Sequence, residues 1–359
     1  MSFNPSAALA CSSLSTPSLF RAEILSFHAN KVTNYTRTIS MGLYMNHGAV
    51  AIQAASFFNV SIAYTHPGLN DTVNLQVYLP STEWNGRMQA IEGNGWQAGL
   101  NYVALAGMVA AIGEGYVSLS TDAGLGTGDS ATWGLLSPGN PNRNLLQNLA
   151  STSLNDLTII GKDIANSCYS TPPVYSYWTG CSQDGRQGMM LAQRFPEAFD
   201  GIAASSPAIN WSEMFVADLW AHVIIITMNI YPHMCEMQEI TAAAITACDA
   251  NDGLVDGIIP PSSTTSYYDS VTALDPNVHD FYRVFMSPGI AHCFGGSGAF
   301  PADTFDTMRA WVENGTVPDT MNATFLSNMA IKRTICPYPR KQTYDGVGNA
   351  TANEGFSCQ

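Results

Sequence analysis

The chain has 359 residues, 46% hydrophobic and 12% charged, enough for one large α/β domain or two smaller ones around a well-buried core. A formal net charge of −14 and a sequence pI of about 4.7 argue against nucleic acid or an anionic membrane as partner. They suit an acidic protein kept soluble by its charge.

In chain order, residues 1–14 carry no basic n-region and no apolar h-region. Residues 12–45 are mixed in pattern and read as an N-terminal arm. Leu75, Val77 and Leu79 alternate with polar residues, which predicts a half-buried strand. Met88 to Ile91 predicts another, opening into Glu92-Gly93-Asn94-Gly95-Trp96. Glycines here let a backbone N–H come close to a ligand oxygen. A dinucleotide loop is the rival reading, since Gly93, Gly95 and Gly99 precede a helical stretch. No later βαβ unit with an acidic ribose partner supports it.

Tyr116 to Ser120 predicts a third strand, and a polar loop then runs to residue 143. The next helix carries Leu154, Leu157, Ile160 and Ile164 on one face. A run of β-formers from Val174 to Trp178 ends in Gly180-Cys181-Ser182. A helical stretch with Met189, Met190, Leu191 and Phe195 follows. Strand, tight turn with Ser at its tip, then helix is the geometry of a nucleophile elbow. Glycine and serine are also common in ordinary strand-to-helix turns. Strands alternating with helices imply an α/β fold with a parallel or mostly parallel sheet covered on both faces.

Beyond Ala204 this alternation stops. Residues 215–231 are apolar but interrupted by Asp218 and His222, and read as a core or lid helix, not a membrane span. A second helix runs from Ile240 to Ala247, and an acidic loop from Cys248 to Gly257. A turn and a helix with Tyr267, Tyr268, Val271 and Leu274 follow. Tyr282 to Met286 reads as the last core strand, and Pro288-Gly289 turns into Ala291-His292-Cys293. A helix over 303–313 and a polar tail close the chain. No internal repeat is present.

Eight cysteines without a C-x-x-C pair point to disulfides rather than zinc, and seven Asn-x-Ser/Thr sequons point the same way. Both favour secretion, with the leader missing from this sequence.

The elbow reads GCSQDGRQG. Arg194-Phe195-Pro196 and Phe199-Asp200-Gly201-Ile202 follow. These motifs, and much of the remaining chain, resemble the tannase/feruloyl esterase family of secreted serine esterases. The resemblance implies an α/β-hydrolase fold with an inserted lid. Residues 1–206 and 259–359 would form the core, and residues 207–258 a shortened lid. It implies hydrolysis of hydroxycinnamoyl (feruloyl) or galloyl esters, small or linked to polysaccharide. Ser182 would be the nucleophile. The N–H of Gln183 and the Asn94-Gly95 loop would form the oxyanion hole.

The family carries linked cysteines beside its catalytic Ser and His. Cys181 and Cys293 match them and single out His292, rather than His222, His233 or His279, as the base. Cys235–Cys248 and Cys336–Cys358 would be further bridges, and Cys11 and Cys168 are left unassigned. The acidic loop resembles the family's lid calcium site, with Asp249, Asp252, Asp256 and the carbonyls of Leu254 and Ile258 as ligands. A solvated acidic turn is the plain alternative.

Two departures stand out. Position 184 is Asp where the family has Gly, which places a carboxylate two residues from the nucleophile; glycine there is expected to raise activity. The family's acid turn and its calcium loop also coincide at Asp256. One carboxylate serving both is unfavourable, so a weakly active chain, or a calcium-stabilised binding protein without turnover, is the alternative expectation. Asp256 is the candidate acid.

Overall fold

The computed structural model describes residues 11, 14–126, 128–251 and 256–359, and divides into two compact units, Met1–Ser205 and Ser206–Gln359. The boundary lies where the strand–helix alternation of the sequence stops.

The first unit is built on a seven-stranded sheet. Its strands are β1 (Glu23–Ile39), β2 (Val50–Thr65), β3 (Val73–Pro80), β4 (Arg87–Ile91), β5 (Val117–Thr121), β6 (Tyr175–Cys181) and β7 (Gly201–Ser205), in the order β1-β2-β3-β5-β4-β6-β7. The expectation of a mostly parallel sheet needs correcting. Strands β5, β4, β6 and β7 are mutually parallel, but β1, β2 and β3 join antiparallel. Most of the supposed irregular arm is strand β1, paired with β2 from Glu23↔Thr65 to Ile39↔Val50. Register shifts near Ile24, Tyr35 and Arg37 interrupt the two-residue period that a sequence reading depends on. In β2 the inner face still alternates, with Val60, Ile62 and Tyr64 buried.

The longer helices of this unit are α1 (Tyr102–Gly113), α2 (Arg143–Ala150), α3 (Thr152–Tyr169) and α4 (Gln183–Arg194). Asn101 caps α1, its Oδ1 accepting from the N–H groups of Val103 and Ala104, both at 3.0 Å. Helix α3 buries the predicted face, Leu154, Leu157, Ile160 and Ile164. Its Gly161 lets it approach Leu119 and Met88, which a Cβ would strike. The neighbouring residue on β5, Ser118, donates instead to the Met108 carbonyl of α1 at 2.9 Å. Successive strand residues point to opposite faces, so α1 and α3 cover opposite faces of the sheet. A disulfide joins Cys11 to Cys168 at the end of α3. The two cysteines left unassigned by the sequence thus pair with each other.

At the β2–β3 end, a polar cluster is buried. The His66 ring lies 2.6 Å from Asp71 Oδ2 through Nδ1 and 3.0 Å from Asp156 Oδ2 through Nε2. Tyr64 and Asn148 donate to the same two carboxyls.

The second unit contains α5 (Trp211–Met228), α6 (Met234–Asn251), α7 (Pro261–Leu274) and α8 (Thr304–Asn314). A three-stranded antiparallel sheet is formed by β8 (Ala299–Phe300), β9 (Met321–Phe325) and β10 (Lys332–Ile335), and a hairpin by β11 (Gln342–Tyr344) and β12 (Phe356–Cys358). The hairpin is tied by Cys336–Cys358, as expected, with Cα atoms 5.6 Å apart. Three small apolar clusters hold this unit, around Met214 and Ile259, around Tyr268 and Val284, and around Met321 and Ile335.

Three expectations fail here. Tyr282–Met286 is not a strand; Phe285 makes one isolated bridge to Pro337. Of the two readings of residues 215–231, core or lid helix, the first falls, because Leu219, Trp220, Val223 and Ile226 of α5 are exposed; among the described residues α5 alone is long and apolar enough to cross a membrane. Cys235 is a free, exposed thiol, so Cys235–Cys248 is not formed. Both residues lie on the single helix α6, about 20 Å apart along its axis at 1.5 Å per residue, beyond the reach of a disulfide.

Candidate active site

Ser182 occupies the turn between β6 and α4 with φ 63° and ψ −123°, a conformation that costs a non-glycine residue about 1–3 kcal/mol. Its N–H donates to the Ser205 carbonyl at 3.0 Å, and its carbonyl accepts from Arg186 N–H at 2.9 Å, starting the helix. The elbow geometry expected from the sequence is present. Gln183, the first residue of α4, points its N–H out of the helix N-terminus, where positive partial charge accumulates.

Several side chains brace this turn without any signal in the sequence. Asn46, itself at φ 68°, sends Nδ2 to Thr179 Oγ1, the Gly180 carbonyl and the Ala203 carbonyl, each at 3.1 Å, and accepts from the Ser205 hydroxyl. It locks the ends of β6 and β7 together beneath Ser182. Arg186 donates to the carbonyls of Leu149 and Ala150 at 2.8 and 2.7 Å and to Gln183 Oε1 at 3.1 Å, anchoring α4 to the end of α2.

The glycine-rich loop leaves β4 at the same sheet edge as the elbow, since Ile91 is in register with Thr179 on the parallel strand β6. Gly93 has no room for a side chain, because a Cβ would overlap the Ala98 carbonyl, and Gly95 sits at φ +56°. Asn94 and Gly95 are exposed. The tertiary structure therefore brings Ser182, Gln183, Asn94 and Gly95 to one edge of one sheet.

Asp184 turns its side chain toward β4. It is buried, and its Oδ2 accepts from the N–H of Glu92 at 3.0 Å. Burial pushes the Asp184 carboxyl well above the usual carboxylate range. Glu92 is raised likewise by burial and by the nearby Asp184.

In the second unit, His292 stands in a tight loop closed by Gly289 (φ +78°), the Ile290↔Gly296 bridge and the Gly298 N–H to Gly289 carbonyl bond at 2.8 Å. Its Nδ1 lies 2.9 Å from Asp256 Oδ2 and 3.1 Å from Oδ1. Asp256 Oδ1 also accepts from Ile258 and Ile259 N–H at 3.0 and 2.9 Å. Burial raises the Asp256 carboxyl, but the His292 bond and these two N–H groups outweigh it and hold it below its ordinary value. With a carboxylate on Nδ1, that nitrogen carries the proton and the lone pair is left on Nε2.

Of the candidate calcium ligands, Asp256 and Ile258 are among the described residues. Asp256 is committed to His292, the Asp249 side chain and residues Asp252 and Leu254 lie outside the described residues, and no group of three metal-binding side chains is found among those described. Asp256 does not fit as a shared ligand. Cys181 and Cys293 are both disulfide-bonded.

A family model described as tannase and feruloyl esterase matches residues 60–260 and 258–359. A probable feruloyl esterase of Arthroderma benhamiae is 37% identical over 252 residues, covering 69% of this chain and 45% of that protein. A tannase of Aspergillus oryzae is 32% identical over 209 residues, covering 56% of this chain and 34% of that protein. The chain thus spans less than half the length of these curated relatives. Among solved structures, a tannin acyl hydrolase from Aspergillus niger superposes with a TM-score of 0.82 at 20% identity, covering 98% of this chain and 94% of that one.

Proposed function

Because this chain belongs to the tannase and feruloyl esterase family, we propose that it is a serine carboxylic ester hydrolase acting through Ser182. The observation that carries the reading is the strained Ser182 at φ 63°, held by the ends of β6 and β7 and followed directly by a helix N-terminus. In this reading Ser182 Oγ attacks the ester carbonyl as His292 Nε2 takes its proton. The N–H groups of Gln183 and of the Asn94-Gly95 loop stabilise the oxyanion, and His292 returns the proton to the departing alkoxide. Water, deprotonated by His292, then attacks the acyl-enzyme carbonyl, and the acid departs as His292 returns that proton to Ser182 Oγ. Asp256 fixes the imidazole tautomer and stabilises its charged form. A Cys181–Cys293 bond is the link that would hold the neighbours Ser182 and His292 together.

Substrates in this reading are hydroxycinnamoyl or galloyl esters, after the names of the relatives, with residues 207–258 as a shortened lid. Three features support a secreted glycoprotein: the Cys11–Cys168 and Cys336–Cys358 bridges, and the exposure of six of the seven sequon asparagines, all but Asn59. A structural calcium ion would rest on Asp249, Asp252 and the carbonyls of Leu254 and Ile258, with Asp256 given over to His292.

A fluorophosphonate probe tests the site. Labelling at Ser182, lost in Ser182→Ala, is the expected result. An unlabelled parent protein that still binds phenolic esters would instead identify a binding protein without turnover.

A further inference from the structure

We propose that Asp184 is a positioning residue that fixes the glycine-rich loop to the elbow, through the hydrogen bond from the Glu92 N–H to its carboxyl. The inference rests on the esterase reading above for its catalytic consequence, though not for its structural part.

Three adjacent parallel strands, β5, β4 and β6, end at one edge, and two buried carboxyls tie those ends in series. Thr121 N–H, at the end of β5, donates to Glu92 Oε1 at 2.7 Å. Glu92, the first residue past β4, donates its own N–H to Asp184 Oδ2 at 3.0 Å. Asp184 stands on the first turn of α4, two residues past Ser182, and its carbonyl accepts from Trp178 Nε1 of β6 at 3.0 Å. The side chain reaches β4 by passing over Gly180, where a Cβ would overlap the Asp184 carboxyl. Gly99 closes the far end of the loop against the same group, since a Cβ there would strike Glu92 Oε2 and the Ser120 hydroxyl. Ser120 also accepts from Leu100 N–H at 3.1 Å.

The amide that Asp184 captures immediately precedes Gly93-Asn94-Gly95. Without that acceptor the Glu92 N–H is a buried, unpaired donor, and the loop loses a direct polar tie to the nucleophile turn. The Asp184 Oδ1 atom has no hydrogen-bond partner among the described residues, so the Glu92 N–H at Oδ2 is what holds this carboxyl against β4.

The test compares the 359-residue parent with Asp184→Gly and Asp184→Asn. Asparagine keeps a neutral oxygen acceptor of the same reach; glycine removes it. Amide hydrogen exchange over residues 92–99 is expected to speed up in Asp184→Gly and to stay parent-like in Asp184→Asn. With 4-nitrophenyl acetate, kcat should fall about tenfold or more in Asp184→Gly while KM changes by less than about twofold, as for a misplaced oxyanion donor. Asp184→Asn should restore most of kcat. Parent-like exchange or an undiminished kcat in Asp184→Gly would overturn the proposal. If the glycine variant does not fold, loss of loop protection in the asparagine variant overturns it equally. Retention of hydrolysis by Ser182→Ala would instead remove the esterase reading, and the exchange data would still decide the strut.

Discussion

Asp256 and His292 lie 36 residues apart in the chain and 2.9 Å apart in space, and the carboxylate meets the imidazole at Nδ1, not Nε2. Both oxygens are occupied, one also by two backbone N–H groups. This arrangement is what a general base needs from its orienting acid. At the position where acid turn and calcium loop coincide in the sequence, the carboxylate faces the imidazole. Asp256→Asn should therefore lower kcat by about 10³–10⁴-fold, on the scale seen when a triad acid is neutralised. A change of less than about threefold in stopped-flow ester hydrolysis would detach the pair from catalysis.

The same pair makes stability depend on pH. A carboxyl held below its unfolded value contributes stability that is present above that value, near 3.9, and is lost as pH falls through the lower folded one. The stability gap between the parent and Asp256→Asn in urea denaturation should be largest above about pH 4 and close below it. A gap independent of pH would show that the charge on Asp256 contributes nothing.

Ser182 stores backbone strain that glycine would release. Ser182→Gly is expected to stabilise the protein by about 1 kcal/mol while abolishing hydrolysis and probe labelling. Urea titration measures the first effect. A destabilised glycine variant would mean that the hydroxyl contributes more to folding than the turn costs.

The cysteines make a chemical prediction. Non-reducing digestion should yield Cys181 and Cys293 in one linked peptide pair, alongside Cys11–Cys168 and Cys336–Cys358. Cys235, exposed and free, should react with iodoacetamide in the native protein. Recovery of Cys181 linked to any other cysteine would remove the proposed tie between nucleophile and base.

His66 is held between two carboxyls. Burial lowers its pKa, but the bonds to Asp71 and Asp156 together raise it above the ordinary histidine value. A raised folded value means the stabilisation is complete below about pH 6.5 and fades as pH climbs through the folded pKa. His66→Gln should thus be most destabilising below that pH, read as a thermal-shift difference across pH 5–9. An equal difference at every pH would make the cluster a neutral hydrogen-bond network.

Local pattern was sufficient for the β3 alternation, the buried face of α3, the β6–Ser182–α4 turn and the helix at Pro261–Leu274, because each depends on residues adjacent along the chain. His292 and Asp256 were marked only through the family resemblance, by the Cys beside His292 and by the acid turn at Asp256. Local pattern was insufficient for β1, whose bulges break the two-residue period, and for the antiparallel half of the sheet, since strand direction is set by partners far away. Asp184 shows the limit most clearly. By position it is a charge beside a nucleophile; by environment it is a buried carboxyl accepting an N–H from a strand 92 residues earlier. Burial and the partner across the sheet decide which, and neither is a property of the local sequence. Asn46 and Arg186 brace the elbow through main-chain carbonyls of distant segments, contacts that exist only after the sheet has formed.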